Sequence, residues 1–274
     1  MTDSRLPTYF ISHGGGPWPY MTGEFRRNFD VLEKSLLDMR AELGSTPKAV
    51  LVVSGHWEEE GLAISSGAKP GMVYDYHGFP EYLYHITYNA PGAPALAKRV
   101  RQLLRASGIE AALDPTRGYD HGTFSVMKPL YPDEDIPVVQ LSLDIGYDPA
   151  LHIKVGRALA PLREEGILII GSGLSYHNLS AMRGTGGYEP SRRFDAWLQE
   201  TLIHSPPEKR IERLIEWERA PAARAAHPRE DHLLPLMVVG AAEDEPGAVT
   251  YHQKDFAGGL TASSFRFGDV PTIN

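Results

Sequence analysis

The sequence predicts an α/β fold: a single domain with a mostly parallel central sheet flanked by helices on both faces. Three observations predict it. Several short runs are β-branched and almost continuously apolar, as strands covered on both faces must be. Segments with helical spacing of apolar residues alternate with these runs, the order expected of strand–helix–strand units. No repeat, low-complexity tract or linker divides the 274 residues, so 1–274 is read as one domain.

In chain order, Thr8 to Ile11, Ala49 to Val53, Ile136 to Leu143 and Ile167 to Ile170 read as buried strands. Between them, Glu24 to Leu43 carries Phe25, Phe29, Leu32, Leu36 and Leu37 at helical spacing. Ala93 to Ser107 has Pro94 near its start and Gly108 as its stop. Pro149 to Glu164, Ser191 to His204 and Glu208 to Arg219 are further helical patterns. Asp231 to Ala242 reads as one more helix, with Glu230 and Asp231 suited to its positive N-terminal end and an acidic stretch after it. Leu260 to Phe267 reads as an edge strand.

Composition narrows the chemistry. Hydrophobic residues make up 42% and charged residues 23%, ordinary for a globular chain that can bury a large core. The net charge of −8, with no basic block, gives no field for nucleic acid or anionic lipid. Met1 to Leu6 is polar and lacks the apolar core of a signal peptide, and no apolar run reaches bilayer length. The expectation is a soluble, cytoplasmic protein. Cysteine is absent, which excludes disulfides, thiolate catalysis and Cys-ligated metals. A transition metal would have to be held by imidazole, carboxylate or water.

Three of the eleven histidines share one setting: apolar strand, small or glycine-containing turn, then histidine. His13 follows the first strand, His56 the second in Ser54-Gly55-His56-Trp57, and His177 the fourth in Gly171-Ser172-Gly173-Leu174-Ser175-Tyr176-His177. Ligands of open α/β sheets bind beyond the carboxyl ends of the strands. A lone histidine after a strand is ordinarily a hydrogen-bonded loop residue; three in the same setting predict a shared metal site. His232 precedes the apolar run Leu233 to Val239 and can point inward from a buried helix start. His121, in Tyr119-Asp120-His121-Gly122-Thr123, would alone read as turn chemistry. His77, His85, His152, His204 and His252 are read as surface or structural. Imidazoles suit iron, zinc, copper and nickel, and one near neutral pKa can move protons beside a metal.

These motifs occur in one order: Ile11-Ser12-His13-Gly14, Val53-Ser54-Gly55-His56-Trp57, Tyr74-Asp75-Tyr76-His77-Gly78-Phe79-Pro80, Tyr119-Asp120-His121-Gly122-Thr123, Pro137-Val138-Val139-Gln140-Leu141-Ser142, Gly171 to Leu179, and Asp231-His232-Leu233-Leu234-Pro235-Leu236. The series resembles the class III extradiol ring-cleavage dioxygenases, in the branch containing the DOPA 4,5-dioxygenases and related to the protocatechuate 4,5-dioxygenase catalytic subunit. It runs from about residue 8 to about residue 245. The resemblance implies His13, His56 and His232 as metal ligands. It implies His177 as the acid–base residue, which in zinc-loaded relatives also lies close enough to count as a ligand. It implies His121 as a histidine assisting dioxygen or substrate. The broader class completes its ligand set with a glutamate where His232 stands here. An all-histidine set suits zinc as well, so the ion stays open: one divalent metal, Fe(II) for activity or Zn(II) as a bound species.

The implied reaction is metal-dependent extradiol cleavage of a catechol-type substrate, so the expected partners are a small aromatic diol and dioxygen. Trp57 and Tyr176 are the expected substrate contacts, with the stretch Tyr74 to Tyr84 and Tyr119 as further aromatic wall. Other readings are a zinc-dependent hydrolase and a non-catalytic metal- or ligand-binding protein on the same scaffold. A serine hydrolase would use Gly173-Leu174-Ser175-Tyr176-His177, which lacks the final glycine of a nucleophile elbow. A dinucleotide site is excluded because His13-Gly14-Gly15-Gly16-Pro17 lacks the required glycine spacing.

Overall fold

The computed structural model describes residues 5–241, 248–256 and 258–270. Eight strands form one sheet: β1 (Thr8–Ser12), β2 (Ala49–Glu59), β3 (Leu62–Ser65), β4 (Ala111–Asp114), β5 (Val138–Asp144), β6 (Ile167–Gly173), β7 (Ala248–Phe256) and β8 (Leu260–Phe267). Around it lie α1 (Glu24–Arg27), α2 (Asp30–Leu43), α3 (Pro94–Ala106), α4 (His121–Leu130), α5 (Pro149–Leu159), α6 (Leu179–Met182), α7 (Tyr188–Leu202), α8 (Pro207–Ile215), α9 (Ala223–Ala226) and α10 (Leu234–Ala241).

The sheet is mixed, which corrects the expectation of a mostly parallel one. Its order is β4-β3-β5-β2-β6-β1-β8-β7. The centre, β5-β2-β6-β1, is parallel, and these are the continuously apolar runs visible in the sequence. The flanks break the pattern: β3 meets β5, β8 meets β1 and β7 meets β8 antiparallel. Leu260–Phe267 is therefore an internal strand, with β7 as the edge beside it. A hairpin could pair there because antiparallel strands need only a short connection, whereas each parallel neighbour needs a crossover.

β6 shows how both faces are covered. A Cβ on Gly171 would stand 2.4 Å from the Pro235 carbonyl oxygen of α10, while the Ser172 hydroxyl reaches the other way to the Gly122 carbonyl in α4. Alternate residues of a strand face opposite sides, so α10 and α4 lie on opposite faces. Every residue of α10 is buried, as its uniformly apolar sequence requires.

The helical reading of 24–43 is divided at Phe29, where the backbone leaves helical geometry and the ring stacks on Trp18 at 5.5 Å. Of the apolar residues at helical spacing, Phe25 and Leu37 are exposed. Helices 149–164 and 208–219 each close in a tight 3-10 turn. The helix read over 231–242 starts at Leu234, after a turn that holds His232. Ala242, the acidic residues after it and Met1 to Ser4 lie outside the described residues. Among the described residues no helix is long and apolar enough to cross a membrane.

Candidate metal centre

The histidines are delivered to one end of the sheet. His13 follows β1 directly, its backbone N–H bonded to the Gly173 carbonyl at the end of β6. His56 lies within β2, not in a turn after it: the strand's register against β5 shifts between Val53 and Glu58, and His56 sits in that irregular stretch. Such a bulge re-aims side chains without ending the strand. His121 opens α4, whose cap is the buried Asp120 accepting from the Thr123 N–H at 3.0 Å. The residue after it must be glycine, since a Cβ on Gly122 would meet the Ser54 hydroxyl at 2.8 Å and the His56 ring at 3.0 Å. His232 is set by its own carbonyl, which accepts the Leu174 N–H at 3.0 Å.

His13 Nε2 lies 3.0 Å from His56 Nε2, and His232 Nε2 lies 3.1 Å from the same atom. The other ring nitrogens fix where the protons are. The Ser172 hydroxyl donates to the Gly122 carbonyl, so His13 Nδ1–H donates to Ser172 at 3.1 Å. His232 Nδ1–H donates to Asp231 Oδ2 at 2.7 Å. Asp75 Oδ2 accepts from His121 Nδ1–H at 2.8 Å and lies 3.2 Å from His56 Nδ1, where a carboxylate favours the ring proton. Each Nε2 is thereby left bare, in the tautomer that binds metals.

Burial, and after it the neighbouring imidazoles, holds His13, His56 and His232 well below the ordinary histidine value. Three unprotonated nitrogens this close repel one another unless a cation lies among them. Metal–nitrogen bonds of about 2.0–2.1 Å place adjacent ligand nitrogens roughly 3.0–3.4 Å apart, which is the spacing found here. The donor set fits a divalent metal. His13, His56 and His121 form one set of groups able to hold an ion, and His177, Asp231 and His232 a second; the His56–His232 approach joins them.

His177 stacks on His232, ring centroids 3.5 Å apart and planes 18° from parallel. Imidazole lone pairs lie in the ring plane. As they stand, the two stacked rings do not aim their in-plane lone pairs at one common point. His177 Nδ1 is 3.9 Å from Asp231 Oδ2. Burial lowers the His177 pKa and the Asp231 carboxylate opposes that shift.

The centre opens into a cleft of about 800 Å³ that includes His56, Trp57, Asp75, Arg117, His177 and Arg229 in its lining. Trp57 donates from its indole to Glu59 at 2.8 Å, and the Arg117 guanidinium lies over its ring at 4.8 Å. Tyr176 and Tyr119 are placed in the core instead, and the aromatic residues of 74–84 pack on one another at Tyr74, Tyr76, Phe79 and Tyr84. Ser175 is also buried, with its hydroxyl accepting the Ser263 N–H at 2.7 Å, so it offers no exposed nucleophile. His77, His85 and His204 are exposed; His152 is buried with both ring nitrogens bonded to backbone; the side chain of His252 lies outside the described ones.

Sequence reasoning missed three residues. Asp75 was read only as part of an aromatic stretch, though a carboxylate amid tyrosines was itself a signal. Ser172 passed as turn chemistry. His227 is fully buried, its Nε2–H donating to the Ser175 carbonyl at 3.0 Å, while Ala226 accepts the His177 N–H at 3.0 Å. The two together brace the segment carrying His177, and no sequence pattern marks them.

A one-domain α/β sheet brings converging imidazoles to a cleft, and these groups could hold a metal ion. Comparison with known proteins specifies the class: the profile described as the catalytic LigB subunit of aromatic ring-opening dioxygenase matches residues 7–268. A 4,5-DOPA dioxygenase extradiol from Beta vulgaris is 37% identical over 271 residues, covering 97% of both chains. A protein of the same name from Escherichia coli K12 is 34% identical over 258 residues, covering 91% of this chain and 90% of that one. The crystal structure of an uncharacterized E. coli K12 protein superposes with a TM-score of 0.78 at 31% identity, covering 96% of this chain and all of the other. The chain belongs to the LigB family and is an extradiol aromatic ring-opening dioxygenase.

Proposed function

We propose that this enzyme opens a catechol-type ring beside its two hydroxyls, using dioxygen and one divalent metal held by His13, His56 and His232. The observation that carries the reading is the approach of three bare Nε2 atoms to 3.0 and 3.1 Å. A ferrous ion at that point would supply the Lewis acidity and redox chemistry that ring opening with dioxygen requires.

The chain's own groups do the rest. His177, lining the cleft and neutral at physiological pH, takes the proton from a catechol hydroxyl and later returns it. Its stacking against His232 supports this role over that of a further ligand. With Nδ1–H bonded to Asp75, His121 keeps Nε2 as a hydrogen-bonding nitrogen beside the His13 and His56 rings, where it would assist the substrate or dioxygen. Trp57, held by Glu59 and Arg117, offers a fixed face for the substrate ring. Names of the relatives support an aromatic diol of the DOPA kind as the substrate class.

The test is anaerobic reconstitution with Fe(II), then oxygen uptake with a panel of catechols. Uptake with a yellow semialdehyde-type product is expected from the ferrous protein and not from the zinc form. A colourless, dioxygen-independent reaction of the zinc form would replace this reading with zinc hydrolysis.

A further inference from the structure

Asp75 stands in the loop between β3 and α3, far in sequence from every histidine it meets. Its side chain is 15% exposed, at the rim of the cleft. Oδ1 accepts the backbone N–H of His121 at 3.0 Å, Oδ2 accepts the His121 ring N–H at 2.8 Å, and the same Oδ2 lies 3.2 Å from His56 Nδ1. The two rings are held with centroids 3.8 Å apart. A carboxylate suits this place, because the His121 backbone and ring N–H groups each meet a separate oxygen, whereas an amide would turn its own N–H toward one of them. The same device recurs across the centre, where Asp231 Oδ2 accepts from His232 and lies 3.9 Å from His177.

We infer that Asp75 is a positioning residue serving two histidines at once: through His56 it holds the metal ligand set, and through His121 it sets a second hydrogen-bonding group against the same ion. The second half rests on the function proposed above; the first does not. Loss of Asp75 should thus have two separable effects. Without the carboxylate beside Nδ1, His56 can turn or change tautomer, and metal binding weakens by roughly 10- to 100-fold. Without it His121 loses both its ring and its backbone anchor, and turnover falls even when the metal is saturating.

The experiment compares wild type, Asp75→Asn, His121→Phe and the double variant. Zinc affinity is read by chelator competition, and kcat and KM are read after saturation with Fe(II). Zinc affinity should drop on Asp75→Asn in both backgrounds. The kcat penalty should be present with His121 and absent once His121 is phenylalanine. Because an amide N–H facing two imidazole N–H groups can disturb the loop, Asp75→Ser is measured alongside with the same expectation. Asp75→Glu, which keeps the charge but shifts the carboxylate by one methylene, should not restore either quantity. Unchanged zinc affinity, an equal kcat penalty in both backgrounds, or full rescue by Asp75→Glu would each overturn the inference. If wild type consumes no oxygen with any catechol, the proposed function fails, while the zinc measurements still decide whether Asp75 holds His56.

Discussion

His177 and His232 touch face to face, and the contrast between them gives the sharpest prediction at the scale of single side chains. His232 is buried with Nδ1–H bonded to Asp231, so its loss removes a fixed nitrogen from the centre. His177 borders the cleft, its Nδ1 standing 3.9 Å from Asp231 Oδ2. Substituting His13, His56 or His232 by Ala should deplete bound metal sharply, as read by elemental analysis after gel filtration. His177→Ala should keep its metal yet lose turnover by roughly 10²- to 10⁴-fold, the usual worth of a positioned acid–base group. Metal loss in His177→Ala would instead make it a ligand. Those four histidines were legible in the sequence because each follows an apolar run or starts one. Their partners were not, because Asp75, Ser172 and His227 act through contacts between segments that no local pattern encodes.

Among the secondary elements, β6 packs so closely on α10 and the turn before it that only glycine fits at two of its positions. A Cβ at Gly171 would come within 2.4 Å of the Pro235 carbonyl oxygen, and one at Gly173 within 2.1 Å of that of His232. Neither neighbour is a flexible side chain, so backbone must move. Gly171→Ala should cost about 1–3 kcal/mol of stability by overpacking, read by denaturant unfolding. Gly173→Ala should in addition weaken metal binding, since the displaced carbonyl belongs to a ligand residue. Normal metal affinity in a folded Gly173→Ala protein would show that His232 is placed by something other than this contact. The parallel strands were readable because burial on both faces leaves a continuous apolar run. β3, β4 and β7 were missed: β3 and β4 are four-residue pieces, and β7 mixes polar and apolar residues as an edge strand does. α4 was also missed, since Asp120-His121-Gly122 reads equally as a turn and as a capped helix start.

For the whole molecule, burying neutral imidazoles couples stability to pH. His13, His56, His232 and His227 are all depressed by burial, His227 to about 3. Above the ordinary value of 6.5 neither the folded nor the unfolded chain protonates them, and they cost nothing. Below it the unfolded chain binds protons that the folded one refuses, so stability falls as pH drops from 6.5 toward about 3. The metal-free thermal midpoint should therefore decline between about pH 7 and pH 5, and less steeply in His227→Phe. An unchanged slope in that variant would mean His227 is protonated in the fold. The cleft that this buried floor supports has a different character at its mouth: Leu179, Ser180, Pro228 and Arg229 all stand open to solvent. Asn178, Leu179 and Ser180 follow β6 without belonging to it, and Pro228 and Arg229 precede the turn that holds His232. Engineering thus divides cleanly, for the threshold can be rewritten to admit other aromatic guests while the glycine-backed hearth beneath it must be left as it is.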